Sequence, residues 1–166
     1  VESPSVLKGK IEDRFLELPP EVIVTVMQAH QRYVPLRHRQ AVDDPLQLQA
    51  RNVLKPEFLL VGNGLDSASD TIVSGNQRVL GARLADAEFF LTVDRRQSSE
   101  QRRLCLARVT FAEGLGTLLD RSERISWVMD QLLLSLQLEG TIASHARRAA
   151  HLCKHDLVCQ MVGEFP

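Results

Sequence analysis

Apolar positions along the chain fall into runs of two different periods. Ser5-Val6-Leu7-Lys8-Gly9-Lys10-Ile11 alternates weakly between Pro4 and the acidic Glu12-Asp13, which predicts a short strand. Pro19-Pro20-Glu21 then opens a helix, because proline lacks an N–H that a first turn would leave unpaired and Glu21 suits the positive end of the helix dipole. Val22, Ile23, Val26, Met27 and His30 follow at helical spacing. Arg32 to Leu36 reads as a strand in which Pro35, lacking a donor, marks an edge or the strand's end. Residues 37–55 are polar around the turn-forming Asp43-Asp44-Pro45 and predict a long surface loop. Glu57 to Asn63 is the clearest strand, with antiparallel pairing across that loop as the simplest arrangement.

From Ser67 to Phe90 the period becomes helical, with Ile72, Val79, Leu80, Leu84, Ala87 and Leu91 in register. Gly75 and Gly81 interrupt it at a cost of about 1 kcal/mol each relative to alanine, so close packing or a kink is expected at one of them. Thr92 to Gln101 is polar and basic and reads as a linker. Thr117 is the expected N-cap of a helix whose apolar face holds Leu118, Ile125, Val128, Met129, Leu132, Leu133 and Leu136. A second helix from Thr141 to Met161, turned back at Gly140, completes an antiparallel pair. The expected division is a mixed α/β region over 1–93, a basic linker over 94–113 and a helical region over 114–166, an α+β fold.

Composition narrows the function classes. The chain has 166 residues, 44% hydrophobic and 25% charged, enough for a real core, and the 5% aromatic content leaves aliphatic residues to build it. A net charge of -1 excludes a strongly basic protein that wraps nucleic acid, though not a local basic patch. No apolar run approaches the length of a membrane span, and the start has no signal-peptide pattern. Cys105, Cys153 and Cys159 are an odd number without a CxxC, which fits a reducing cytoplasm. The start at Val1 and the stop at Pro166 read as the ends of a piece cut from a longer protein.

Candidate chemistry is sparse. Gly62-Asn63-Gly64 lacks the third glycine of a dinucleotide fingerprint and reads as a turn, and neither a P-loop nor a GxSxG occurs. His151 and His155 lie four apart on one helix face beside Asp156 and form a candidate metal site, in which His155-Asp156 resembles the pair that names the HD phosphohydrolases. Cys153 and Cys159, placed on one helix about 240° apart, read as buried small apolar residues. Arginine is concentrated at Arg95, Arg96, Arg102, Arg103 and Arg108 against Asp94 and Glu100, a local excess of positive charge able to attract phosphate.

Four stretches taken in order resemble the beta subunit of bacterial heterotetrameric glycyl-tRNA synthetase. They are Phe15 to Val22 continuing through Gln31-Arg32-Tyr33 to Pro35; Gly75-Asn76-Gln77-Arg78-Val79-Leu80 into Ala82 to Phe90; Val109-Thr110-Phe111 with Leu115 to Leu118 and Arg124-Ile125; and Lys154 to Val158 followed by Met161 to Pro166. The resemblance implies a B3/B4-like mixed region followed by the start of an HD-like helical region. It implies an alpha-two beta-two assembly that joins glycine to its tRNA with ATP and Mg, the alpha subunit carrying the chemistry and the beta subunit serving tRNA recognition and assembly. No catalytic residue and no cofactor is then expected on this chain. Arg95, Arg96, Arg102 and Arg103 are tRNA-binding candidates on charge density alone. A metal-dependent phosphohydrolase using His151, His155 and Asp156 and a purely structural scaffold are the alternatives.

Overall fold

The computed structural model describes residues 4–41 and 49–164. The fold is α+β and divides into two compact units, residues 4–90 and 91–164. Among the described residues no helix is long and apolar enough to cross a membrane.

The first unit is a three-stranded antiparallel sheet of order β1-β3-β2, built from β1 (Pro4–Lys10), β2 (Val34–Arg37) and β3 (Leu54–Asn63). β2 is the edge on which Pro35, lacking a donor, is tolerated. The pleat turns Phe58 and Leu60 inward. They share the core with Phe15, Leu16, Ile23, Val26 and Met27, all buried, which come from the 3₁₀ turn Asp13–Glu17, from α1 (Pro20–Thr25) and from the π-type turn Val26–His30 that continues it. α2 (Ser69–Asp94) adds Leu80, Leu84 and Ala87, and its last turn, from Leu91, belongs to the second unit. Gln77 Oε1 accepts from the Lys10 N–H at 2.7 Å, and Arg14 reaches Glu88 at 2.6 Å.

Two expectations for this unit change. The polar stretch 37–55 is not all loop. Ala50–Asn52 is a 3₁₀ turn, Ala50 and Val53 are buried, and Leu54-Lys55 already belong to β3. The reason lies in contacts with the distant Glu17-Leu18: the Ala50 N–H donates to the Leu18 carbonyl at 2.8 Å, and Gln49 and Arg51 both donate to the Glu17 carboxylate. The turn placed at Asp43-Asp44-Pro45 lies outside the described residues. The second change concerns Gly75 and Gly81. α2 runs unbroken through both, and among the described residues no atom beyond the adjoining helix backbone lies within 4 Å of where a Cβ would stand, so neither serves close packing.

The second unit contains α3 (Ser99–Cys105), the short hairpin β4 (Thr110–Ala112) and β5 (Gly116–Thr117), α4 (Leu118–Ser135), α5 (Gly140–Leu152) and α6 (Gln160–Glu164). Ser122 bonds to the His151 carbonyl and Arg147 to Asp130, so α4 and α5 run antiparallel as the sequence predicts. Thr117 caps α4 as expected, within a reciprocal box: the Asp120 N–H donates to Thr117 Oγ1, and the Thr117 N–H donates to Asp120 Oδ2 at 2.6 Å. Gly116 sits at φ +81°, and a Cβ there would stand 2.4 Å from Asp120 Oδ2. Only glycine satisfies both conditions.

Hydrogen bonds from the Thr117 backbone, then from its hydroxyl, hold the Asp120 carboxyl below its usual value despite partial desolvation. A depressed folded-state pKa places the stabilisation above the unfolded value, near 4, and removes it as pH falls through the folded one. Helix α4 therefore loses this cap's contribution in acid. Emission of Trp127, on α4, should report a transition on the acid side of pH 4 that is absent from Asp120→Asn.

Three readings of the helical region are corrected. Ser99–Cys105, inside the stretch read as linker, is a helix begun by a Ser98/Gln101 capping box. The second helix ends at Leu152 rather than Met161, followed by the 3₁₀ turn His155–Val158 and the short α6. Cys153 is accordingly exposed, and Cys153 and Cys159 do not share a helix. The apolar face of α4 is present as read, and it buries little within this unit. Leu133 is covered, whereas Ile125, Val128, Met129 and Leu132 line an open groove of about 480 Å³ with Phe111 and Leu115.

Candidate nucleic-acid interface

The arginine-rich segment runs from the end of α2 through α3. Arg95 and Arg96 lie in the turn after α2, their N–H groups donating to Leu91 and Val93 at 3.0 and 3.1 Å. Their side chains are exposed beside the negative end of the helix dipole, a favourable place for a cation. Arg108 is also exposed, in the turn Leu106–Arg108 after α3.

Arg102 and Arg103 have different surroundings. The Arg102 guanidinium donates to the Asp94 carbonyl and, at 3.0 Å, to the Gln97 carbonyl, closing the turn between the two helices. Arg103 is buried at 9% exposure, and its Nε donates to the His151 carbonyl at 3.0 Å. That carbonyl belongs to the last turn of α5, where backbone acceptors have no partner within the helix. Arg103 and Ser122 Oγ supply the missing donors, which fixes where α5 ends. Glu123 lies 3.9 Å from Arg103 Nη2 and offsets its charge. Arg103 is thus unavailable to phosphate, a correction to its reading as a tRNA-binding candidate: buried guanidinium groups are retained where they satisfy buried acceptors.

The acids of the segment are engaged too. Asp94 accepts from the Gln160 and Met161 N–H groups at 2.9 and 3.0 Å and so starts α6. Glu100 receives Arg148 at 2.9 Å and His151 Nε2 at 3.1 Å. Desolvation raises the Glu100 carboxyl, but hydrogen bonds and charge from Arg148 and His151 outweigh it and leave the group below its usual value. What faces solvent is therefore Arg95, Arg96 and Arg108, with the neighbouring acids turned to other partners.

The histidine cluster is dispersed. His151 reaches Glu100, His155 Nδ1 lies 2.7 Å from the Leu152 carbonyl, and Asp156 sits exposed in the 3₁₀ turn. Among the described residues no group of three or more His, Cys, Asp or Glu is arranged to hold a metal. Cys105 donates its thiol to the Gln101 carbonyl, and burial raises the Cys159 thiol.

Sequence comparison now defines the class. Residues 1–166 match the family described as glycyl-tRNA synthetase beta subunit. The chain is 41% identical over 165 residues to a protein named glycine–tRNA ligase beta subunit from Oceanobacillus iheyensis, covering 99% of this chain and 22% of the relative. It is 43% identical to the protein of the same name from Picosynechococcus sp. (100% of this chain, 22% of the relative) and 37% identical to that from Bacillus subtilis (100% and 23%). The chain belongs to the glycyl-tRNA synthetase beta subunit family, and it spans about a fifth of the length of these curated relatives.

Proposed function

We propose that the chain works as part of the beta subunit of a cytoplasmic glycine–tRNA ligase, binding tRNA through phosphate contacts while an alpha subunit performs the ATP- and Mg-dependent joining of glycine to the tRNA end. The observation that carries this reading is the family match over residues 1–166. Exposed Arg95, Arg96 and Arg108 support the binding role, since arginines whose side chains face solvent are the groups that neutralise phosphates and release counterions. Such contacts position a nucleic acid without reading its sequence, which suits a segment that holds the acceptor end for chemistry performed elsewhere.

The direct test is reconstitution. The full-length subunit combined with its alpha partner should charge glycine tRNA, and the beta subunit without the alpha partner should not. The 166-residue chain alone should give no glycine-dependent exchange of pyrophosphate into ATP, because it carries no nucleotide-binding motif. Exchange by the isolated chain would move the chemistry onto it and overturn the division of labour proposed here.

A further inference from the structure

The first unit holds a polar cleft of about 500 Å³, remote in sequence from the arginine segment. One wall is the edge of β3. The pairing of β2 with β3 begins at Val34 opposite Leu59, so among the described residues Leu60, Val61 and Gly62 have no strand beside them on that side. Antiparallel geometry aims alternate backbone N–H and C=O groups of such an edge outward. The opposite wall is α2, through Ile72 and Asn76, and the rim is Gln31-Arg32-Tyr33.

Three features show what chemistry the cleft fits. Arg32 stands at φ +58°, in the left-handed region that costs an ordinary L-residue about 1–2 kcal/mol and glycine nothing. That conformation ends the preceding helical turn, the Arg32 and Tyr33 N–H groups donating back to the Gln28 and Met27 carbonyls, and it leaves at the rim an exposed guanidinium that, among the described residues, is the only charged side chain lining the cleft. An anionic group on the ligand would match it. Next, the Tyr33 hydroxyl donates to Asn76 Oδ1, and Asn76 Nδ2 donates to the Ile72 carbonyl at 2.7 Å. That pins the amide; these two bonds use one hydrogen of Asn76 Nδ2 and the hydroxyl hydrogen of Tyr33, so the pair retains a second amide donor and the acceptor capacity of the Tyr33 oxygen. Tyr33 is itself fixed by stacking on Phe58 at 4.8 Å. Last, Gln31 adds a second amide with both donor and acceptor.

We infer that this cleft binds a single unstacked nucleotide, its phosphate on Arg32 and its base edge against Leu60–Gly62, Tyr33 and Asn76. A planar heterocycle with mixed donors and acceptors matches both the pinned amide and the strand edge. Three free backbone residues are too short an edge for a bound peptide strand, and the polar walls offer little to a lipid. The nucleotide comes either from RNA, in which case the inference rests on the tRNA-binding reading above, or from a free mononucleotide.

The test uses the full-length subunit, with tRNA and AMP as probes in separate titrations. Arg32→Gly should weaken the binding of the true ligand about tenfold, the value of one charge-assisted hydrogen bond. If that ligand is tRNA, the salt dependence should flatten by about one unit of slope. The melting temperature should stay level or rise by a few degrees, because glycine relieves the left-handed backbone. Gln31→Glu, which adds a negative charge to the rim, should weaken binding in the same direction without unfolding. A loss confined to the tRNA titration assigns the site to RNA, and a loss in the AMP titration assigns it to free nucleotide; either supports the inference. Both ligands binding both variants as they bind the unaltered subunit would overturn it while leaving the tRNA reading intact. A subunit that fails to bind tRNA before any substitution would overturn that reading instead, and the AMP titration alone would then decide the cleft.

Discussion

Replacing Arg95, Arg96 and Arg108 by alanine in the full-length subunit should weaken tRNA binding roughly tenfold to a hundredfold near physiological salt, with a salt slope reduced by up to about one unit for each phosphate no longer neutralised. These three side chains face solvent, so their removal should leave the thermal transition within about a degree or two. Arg103→Ala should do the reverse. It strips the His151 carbonyl of its guanidinium donor and empties a buried site, at a cost of about 2–3 kcal/mol in the second unit. Arg103→Lys should recover part of that loss, because an ammonium can reach one carbonyl but cannot also lie along Glu123. Filter binding of tRNA against salt, set beside thermal melts followed by Trp127, separates the two groups. An unchanged slope in the triple variant would return these arginines to the role of solvated charge.

That division of one basic run into exposed and buried arginines explains what the sequence could and could not convey. Charge density located the segment, because Arg95, Arg96, Arg102, Arg103 and Arg108 stand out on a chain of net charge -1. It could not separate Arg95 from Arg103, since the distinction depends on the carbonyl of His151, 48 positions away. The helix over Ser99–Cys105 was legible in principle: Ser98 and Gln101 have the spacing of a capping box, a signal masked by the polar composition around it. The Thr117 cap, the strand ending at Asn63, the edge position of Pro35 and the turn at Gly140 were all readable, because each depends on a residue type acting within its own turn or strand.

Other features were not legible for the same reason in reverse. The end of α5 is set by Arg103 and Ser122, and the start of α6 by Asp94, all distant in sequence. The periodicity of α4 announced an apolar face correctly but carried no information on what covers it, and within this unit Val128 and Leu132 remain exposed. The cleft beside β3 left no motif at all. Its one local sign is a non-glycine residue at positive φ, which no propensity scale predicts for arginine.

A large effect in the first unit should come from a position with no side chain. Gly9 is paired with Phe58 across β1 and β3, and a Cβ on Gly9 would stand 2.4 Å from Phe58 Cζ. The ring cannot retreat freely, because Tyr33 stacks on it and Phe58 is fully buried. Gly9→Ala should therefore cost about 1–3 kcal/mol by overpacking, and Gly9→Val more. Phe58→Ala should cost about 3–5 kcal/mol through the cavity it leaves. Phe58→Leu removes the atoms that a Gly9 methyl would strike, so Gly9→Ala combined with Phe58→Leu should cost less than the two single changes added together, by about 0.5–3 kcal/mol of coupling. Denaturant melts read this unit through Tyr33, the chain's one tyrosine, whose near-UV signal depends on its stacking with Phe58. Additive costs in the double variant would mean that Phe58 already moves aside for the added methyl and that the close approach of ring to backbone is not what fixes the β1–β3 register.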